Sequence, residues 1–284
     1  MSVEVLSPGP YATVQDLGRT GYAHLGVPRS GAADPRALTL ANRLVGNPEG
    51  HAGIELTLGG ARLRFAAPAW IAVTGAPCPL TLSGRAAGMC APLWAPAGAE
   101  LRVGVPARGL RTYVAVRGGL AVAPVLASRS TDSLSGLGPP PLRAGDVLPV
   151  GPPGGLGPIV VDAAPYAPPP ERPALRVIPG PRDDWFTPDA LDLLCGAPYE
   201  VSPHSNRVGV RLRGPALARS RGGELPSEGM VAGAIQVPPD GQPIVFLADH
   251  PPTGGYPVIA VVRAADLPLA AQLRPGDTVT FRRA

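Results

Sequence analysis

The chain has 284 residues, of which 37 are Gly and 39 are Pro, roughly a quarter of the total and enough to raise disorder or a collagen-like repeat. No Gly-X-Y period runs through it, 45% of residues are hydrophobic and only 16% are charged, so both are excluded; Gly and Pro are expected to punctuate many short elements. All 25 basic residues are Arg, and without a Lys this chain cannot carry a P-loop, a Schiff-base amine or a covalently attached biotin. The net charge of +4 is spread along the chain and aromatics are only 5%, which argues against a single-stranded nucleic-acid platform. Cys78, Cys90 and Cys195 are too few and too scattered for a disulfide framework. No signal peptide or membrane-spanning apolar run is visible, so a soluble, cytoplasmic protein is expected.

In chain order, strands are expected at Val3–Leu6, Glu55–Leu58, Arg62–Phe65, Trp70–Val73, Glu100–Val103 and Arg111–Val116, each bounded by Gly or Pro. A helix is expected from Asp34 to Val45. Asp34 suits the N-cap, Pro35 the first turn, and Leu38, Ala41, Leu44 and Val45 form one apolar stripe. A second helix is expected after Thr187 and a short one near Asp266–Leu273. The Pro/Gly-dense segment 151–173 reads as a linker, with room for an edge strand at Ile159–Val161. It separates domains at 1–150 and 174–284. Each half closes on the pattern L-R-x-G-D, at Leu142–Asp146 and again at Leu273–Asp277, which suggests two domains of related β-barrel architecture.

Several loops hold more polar residues than packing requires: 14–19, 26–34, Ser128–Thr131, Ser205–Arg207, Ser227–Gly229 with Gln236, and Asp249–Pro257. Their hydroxyls, guanidiniums and carboxylates suit a carboxylate, carbonyl or acyl-phosphate ligand. Structural alternatives stand beside this. Asp34 is also a good N-cap, Asp16 and Arg19 could form an ion pair, Arg129 and Arg207 could be surface charges, and Thr253–Gly255 could be only a turn. His24, His51, His204 and His250 lack metal-ligand spacing, so no metal is expected, and no G-x-S-x-G elbow exists.

At these loops the sequence resembles the family of allophanate hydrolase subunit 2, or biotin-dependent carboxyltransferase domain proteins, which includes KipA and the C subunit of 5-oxoprolinase. The matching pieces are VQDLGRTGYAHLGVPRSGAAD (14–34), ALTLANRLVGN (37–47), ELTLGG (55–60), AVTGA (72–76), SRSTD (128–132), SEGMVAGAIQVPPDGQPI (227–244), TGGYPVIA (253–260) and QLRPGD (272–277). The resemblance implies a mainly β fold of two tandem cyclophilin-like β-barrel domains with a few short helices. It implies one component of a 5-oxoprolinase, inactive alone, that works with a KipI-like B subunit and a LamB/YcsF-like A subunit to convert 5-oxo-L-proline to L-glutamate. ATP is then used at the level of the hetero-complex, with no biotin on this chain. A KipA-like regulatory binder or a urea carboxylase-type carboxyltransferase component are the alternatives.

By position in the motifs, Arg129 and Arg207 are expected to bind a carboxylate or acyl phosphate, and Ser130, Thr131 and Thr253 to donate hydroxyls. Gly254 and Gly255 would offer backbone N–H groups, Gln236 and Tyr256 would line the substrate, and Asp16, Asp34 or Asp249 would act as a base or position partners. Two departures bear on the site. Pro251 and Pro252 replace the family's usual Gln and Thr, and Gly136–Pro141 replaces a usual Gly- and Arg-containing stretch.

Overall fold

The computed structural model describes residues 1–165 and 167–284. Among them the chain divides into two compact units that are not contiguous in sequence. The first comprises Met1–Arg19, Asp34–Asp132 and Gly136–Pro169; the second comprises Thr20–Ala33, Ser133–Ser135 and Pro170–Ala284.

The first unit contains, in chain order, β1 (Ser2–Ser7), β2 (Tyr11–Gln15), α1 (Pro35–Leu44), β3 (Gly53–Thr57), β4 (Ala61–Phe65), β5 (Ala69–Gly75), β6 (Leu80–Leu82), β7 (Arg85–Ala87), β8 (Leu93–Ala95), β9 (Glu100–Val103), β10 (Arg111–Val116) and β11 (Val147–Pro149). They form two sheets, ordered β11-β1-β4-β9-β6-β7 and β2-β3-β10-β5-β8. Alternation decides what each face buries. Val3 and Val5 of β1, Leu63 and Phe65 of β4, and Val114 and Val116 of β10 all enter one apolar core. The other face of the second sheet carries Ala72 and Ala115, and α1 covers them with Ala41 and Leu44. That helix begins as its sequence dictates: the Asp34 carboxylate accepts from the Ala37 N–H (3.1 Å), and Pro35 occupies the first turn.

The second unit contains β12 (Ala174–Pro179), α2 (Ala190–Gly196), β13 (Tyr199–Val201), β14 (Gly209–Arg213), β15 (Glu228–Gly229), β16 (Ala234–Gln236), β17 (Ile244–Phe246), β18 (Thr253–Gly254), β19 (Val258–Val262), α3 (Leu267–Ala271) and β20 (Thr278–Arg283). Seven strands close a barrel in the order β12-β19-β16-β17-β14-β13-β20, with β20 pairing back in parallel to β12. Closure leaves no open sheet edge and encloses a core that includes Leu175, Tyr199, Ile235, Val245, Ile259 and Phe281. The mainly β fold is thus as the sequence indicates.

Of the segment expected as a linker, Tyr166 lies outside the described residues. Residues 151–169 are counted with the first unit. Arg117 donates to the carbonyls of Leu156 (3.1 Å) and Gly157 (2.8 Å), and the Ala164 N–H donates to Cys90 O (2.8 Å). No strand forms at 159–161. The prolines around it remove ladder donors, and side-chain anchors hold the segment instead.

The L-R-x-G-D repeat is one turn built twice. Asp146 Oδ2 accepts from the Arg143 N–H (2.7 Å) and Asp277 Oδ2 from the Arg274 N–H (2.8 Å). The glycines between, Gly145 (φ +92°) and Gly276 (φ +86°), occupy the left-handed region and donate to Val5 O and Val201 O, both at 2.8 Å. Each turn then feeds the last strand of its unit, β11 or β20. Gly276 and Gly196 both have open space where a Cβ would sit, but only Gly276 has a positive φ. Gly276→Ala is therefore expected to destabilise by ~1–2 kcal/mol, whereas Gly196→Ala is neutral or stabilising by a few tenths, as read by urea unfolding.

Candidate functional site

In the first unit, β2 delivers Asp16 to the Ser128–Thr131 segment. Asp16 is 7% exposed. Its Oδ1 accepts from Ser128 Oγ (2.7 Å), Ser130 Oγ (2.5 Å) and the Gly18 N–H (2.8 Å), and its Oδ2 from the Arg129 N–H (2.6 Å). The opposite side of the segment is held by carbonyls. Gln15 Nε2 donates to Thr131 O (2.9 Å), Arg19 Nη2 donates to Ser130 O, and the Thr131 N–H donates to Val14 O (2.9 Å). Two motifs more than a hundred residues apart thus form one knot. The Asp16–Arg19 ion pair considered from the sequence does not form in this knot; the carboxylate near Arg19 is Asp132, at 4.0 Å.

Just before this segment, Val125 and Ser128 pair across a two-residue turn whose central residues, Leu126 (φ +50°) and Ala127 (φ +61°), are both left-handed. Asn-Gly is the usual choice for such a turn, and each of these side chains costs about 1–2 kcal/mol there. The three donors that the Ser128–Ser130 segment gives to Asp16 hold the strained turn in place. Arg129 is left half-buried, its Nε donating to Val122 O (2.9 Å).

Asp34, expected as a possible base, is the N-cap of α1. Its N–H donates to Tyr113 Oη (2.8 Å), which donates in turn to Glu55 Oε2 (2.7 Å). Arg111 Nε lies 3.4 Å from Glu55 Oε1. Strand register explains the cluster: Thr13 faces Glu55, Glu55 faces Tyr113 and Tyr113 faces Thr74, giving a polar row across four strands, all of it buried. Burial first, then the charges of Glu55 and Asp34, push the Tyr113 phenol well above its ordinary pKa. Sequence reasoning passed over Glu55, Arg111 and Tyr113. The available signal was polar residues alternating with apolar ones inside strands that read as core.

In the second unit, Asp249 has 0% exposure and is saturated with donors. Arg207 approaches as a fork, with Nε to Oδ2 and Nη2 to Oδ1, both 2.9 Å. Ser30 Oγ donates to Oδ1 (2.6 Å), and Ser133 donates to Oδ2 from Oγ (2.6 Å) and N–H (2.9 Å). Arg207 Nη2 also donates to Gly31 O (2.6 Å). Burial alone would raise the Asp249 carboxyl; the Arg207 charge and the hydrogen bonds from Arg207, Ser133 and Ser30 outweigh it and hold the pKa below the ordinary value. Arg207, expected to meet an anionic ligand, meets this carboxylate.

The Thr253–Tyr256 loop is organised separately. Thr253 and Gly254 form β18, paired with β15 so that Glu228 faces Gly254. Glu228, from the polar loop Ser227–Gly229 singled out in the sequence, makes an ion pair at this ribbon with Arg182, which was not expected there. Gln236 Nε2 donates to Tyr256 O (2.9 Å), and the Arg219 guanidinium lies 5.8 Å from the Tyr256 ring centroid. Thr253 is exposed, Gly254 and Gly255 are half-buried, and Tyr256 is 47% exposed. Among the described residues, no group of three or more His, Cys, Asp or Glu could hold a metal ion, and no helix is long and apolar enough to cross a membrane.

Residues 25–283 match the family described as carboxyltransferase domain, subdomain A and B. The chain belongs to that family. Among curated relatives, the C subunit of the Escherichia coli 5-oxoprolinase is 38% identical, the match covering 98% of this chain and 90% of the relative. The urea amidolyase of Lachancea kluyveri is 35% identical over 98% of this chain but only 17% of its own length. Among solved structures, TTHA0988 superposes with a TM-score of 0.89 at 39% identity, covering 99% of this chain and 55% of that one. The K. lactis urea amidolyase superposes with a TM-score of 0.91 at 34% identity, covering 99% of this chain and 18% of that one. This carboxyltransferase-domain chain thus spans about half of TTHA0988 and nearly all of the E. coli relative.

Asp249→Asn keeps the shape of this side chain and removes its charge, leaving Arg207 buried beside a neutral amide. It is expected to lower stability by ~3–5 kcal/mol at pH 7. Because the folded pKa is depressed, the wild-type advantage is complete above the unfolded value near ~3.9 and fades as pH falls through the lower folded value. Urea unfolding of both proteins at pH 7, 4 and 3 checks this; an unchanged difference at all three refutes it.

Proposed function

We propose that this chain is the C subunit of an ATP-dependent 5-oxoprolinase. It works with a KipI-like B subunit and a LamB/YcsF-like A subunit in the cytoplasm to convert 5-oxo-L-proline to L-glutamate. The observation that carries this reading is the near end-to-end match to the C subunit of the E. coli 5-oxoprolinase, against matches to urea amidolyases that cover only a small part of those proteins. The chain contributes substrate binding, and the complex supplies ATP chemistry, since a chain without Lys has no conventional phosphate-binding loop.

In this reading the candidate residues divide the labour. Asp16 and Asp249 are positioning residues, because each carboxylate already accepts several hydrogen bonds from the protein. Arg129 is the cation offered to substrate. Thr253, Gly254, Gly255 and Tyr256 form a second, more exposed contact surface, braced by Gln236 and Arg219.

A urea carboxylase-type role is the second reading, favoured by the TM-score of 0.91 with urea amidolyase. Biotin would then arrive on a separate carrier, because this chain has no Lys to bear it. The three purified proteins are expected to form glutamate from 5-oxo-L-proline and ATP when mixed, with activity falling at least a hundredfold when this chain is omitted. Full activity without it, or turnover of urea only, refutes the first reading.

A further inference from the structure

The outer face of β14 carries two arginines that the candidate site does not use. Along this strand Leu212 points into the barrel core, so Arg211 and Arg213 both point outward, with Cα atoms ~7 Å apart on one face. Both residues are exposed, and among the described residues neither guanidinium makes a hydrogen bond or an ion pair. Arg207, four positions before Arg211, is instead buried against Asp249.

The two side chains line a cleft of about 160 Å³ between β14 and the segment 238–243, together with Ser202, His204, Asp240 and Gln242. Its walls are stitched together. The Ser202 N–H donates to Arg211 O (2.8 Å) and the Leu212 N–H to Pro243 O (2.9 Å). Gln242 binds Gly214 twice, Oε1 accepting from its N–H (2.9 Å) and Nε2 donating to its carbonyl (3.2 Å). Asp240 is placed by a turn in the opposite wall. The Gly241 N–H donates to Pro238 O (3.0 Å), and Asp240 Oδ1 accepts from the Gln242 N–H (3.0 Å). Asp240 Oδ2 has no partner among the described residues. Glu200 stands opposite Arg213 in the β13–β14 register but does not line the cleft.

The cleft therefore has a fixed frame and three charged groups with bonding capacity to spare, two positive and one negative. Each of them restricts the ligand. Free guanidiniums recognise carboxylates and phosphates. A phosphate dianion offers Asp240 no donor and is repelled by it, and a plain dicarboxylate leaves Asp240 without a counter-charge. The volume is below the ~300–1,000 Å³ of ordinary ligand pockets, so the occupant is smaller than a nucleotide. We propose that this cleft binds a small acidic α-amino acid, with its two carboxylates on Arg211 and Arg213 and its ammonium on Asp240. L-Glutamate is the member of that class released by the reaction proposed above; the cleft itself does not rest on that reading.

Calorimetric titration of the purified chain tests this. L-Glutamate is expected to bind saturably. Glutarate, the same dicarboxylate without the ammonium, and L-2-aminobutyrate, which lacks the second carboxylate, are each expected to bind at least tenfold more weakly. Arg211→Gln and Arg213→Gln are each expected to weaken L-glutamate binding at least tenfold. Asp240→Asn keeps Oδ1 as the acceptor for the Gln242 N–H and removes only the charge. It is expected to bind glutarate as well as it binds L-glutamate, a change of selectivity that a folding defect would not produce. No saturable binding of L-glutamate, tighter binding of inorganic phosphate, or an undiminished preference for L-glutamate over glutarate in Asp240→Asn overturns the proposal. Asp240-dependent binding in a chain whose complex makes no glutamate would sustain the cleft and sink the proposed function. Turnover of 5-oxo-L-proline with no L-glutamate binding to this chain would do the reverse.

Discussion

A carboxylate taken out of water must be surrounded by donors, and that constraint organises both units of this chain. Isolated burial of such a charge costs several kcal/mol, so the protein around it has to deliver hydrogen bonds to both oxygens. Asp249 meets the requirement with a guanidinium fork and three donors from Ser30 and Ser133. Asp16 meets it with four neutral donors, two serine hydroxyls and two backbone N–H groups. In each case most of the donors come from loops remote in sequence, so satisfying the charge and fixing those loops are one event.

This arrangement sorts the polar residues into those that hold and those that are held out. Ser128 and Ser130 spend their hydroxyl protons on Asp16, and Arg207 spends its fork on Asp249. Arg129 is fixed through its backbone and Nε, and among the described residues its terminal guanidinium nitrogens make no hydrogen bond. Tyr256 is fixed through its carbonyl while about half of its surface stays exposed. Rigid support behind a free functional group is what ligand binding without a large ordering cost requires.

Local features were legible in the sequence because they are set by neighbours along the chain. The Asp34 cap, the alternating strands such as Arg62–Phe65 and the paired L-R-x-G-D turns all depend on short-range geometry. What could not be read depends on register between distant strands. Glu55, Tyr113 and Thr74 become one buried row only because β3, β10 and β5 pair as they do. Likewise, the sequence shows that Asp249 and Arg207 are unusual but not that they face each other. The family resemblance supplied the positions of these residues, and the structure shows that they pair with each other. The Pro/Gly-rich stretch after residue 150 read as a tether, yet part of it is fastened by Arg117, because side-chain donors can secure a backbone that proline prevents from joining a sheet.

The division into two units has a bearing on inheritance and engineering. The second unit takes Ser30, Gly31 and Ser133 from excursions of the chain that otherwise builds the first. A fragment running only from residue 170 to the C-terminus would contain every strand of the closed barrel but would bury Asp249 and Arg207 without three of their partners. The barrel is complete as a sheet and incomplete as a solvent shell for its own charge. Recombination or truncation at the Pro/Gly-rich stretch would therefore separate a carboxylate from its donors, and the smallest transferable piece is the whole chain rather than either half.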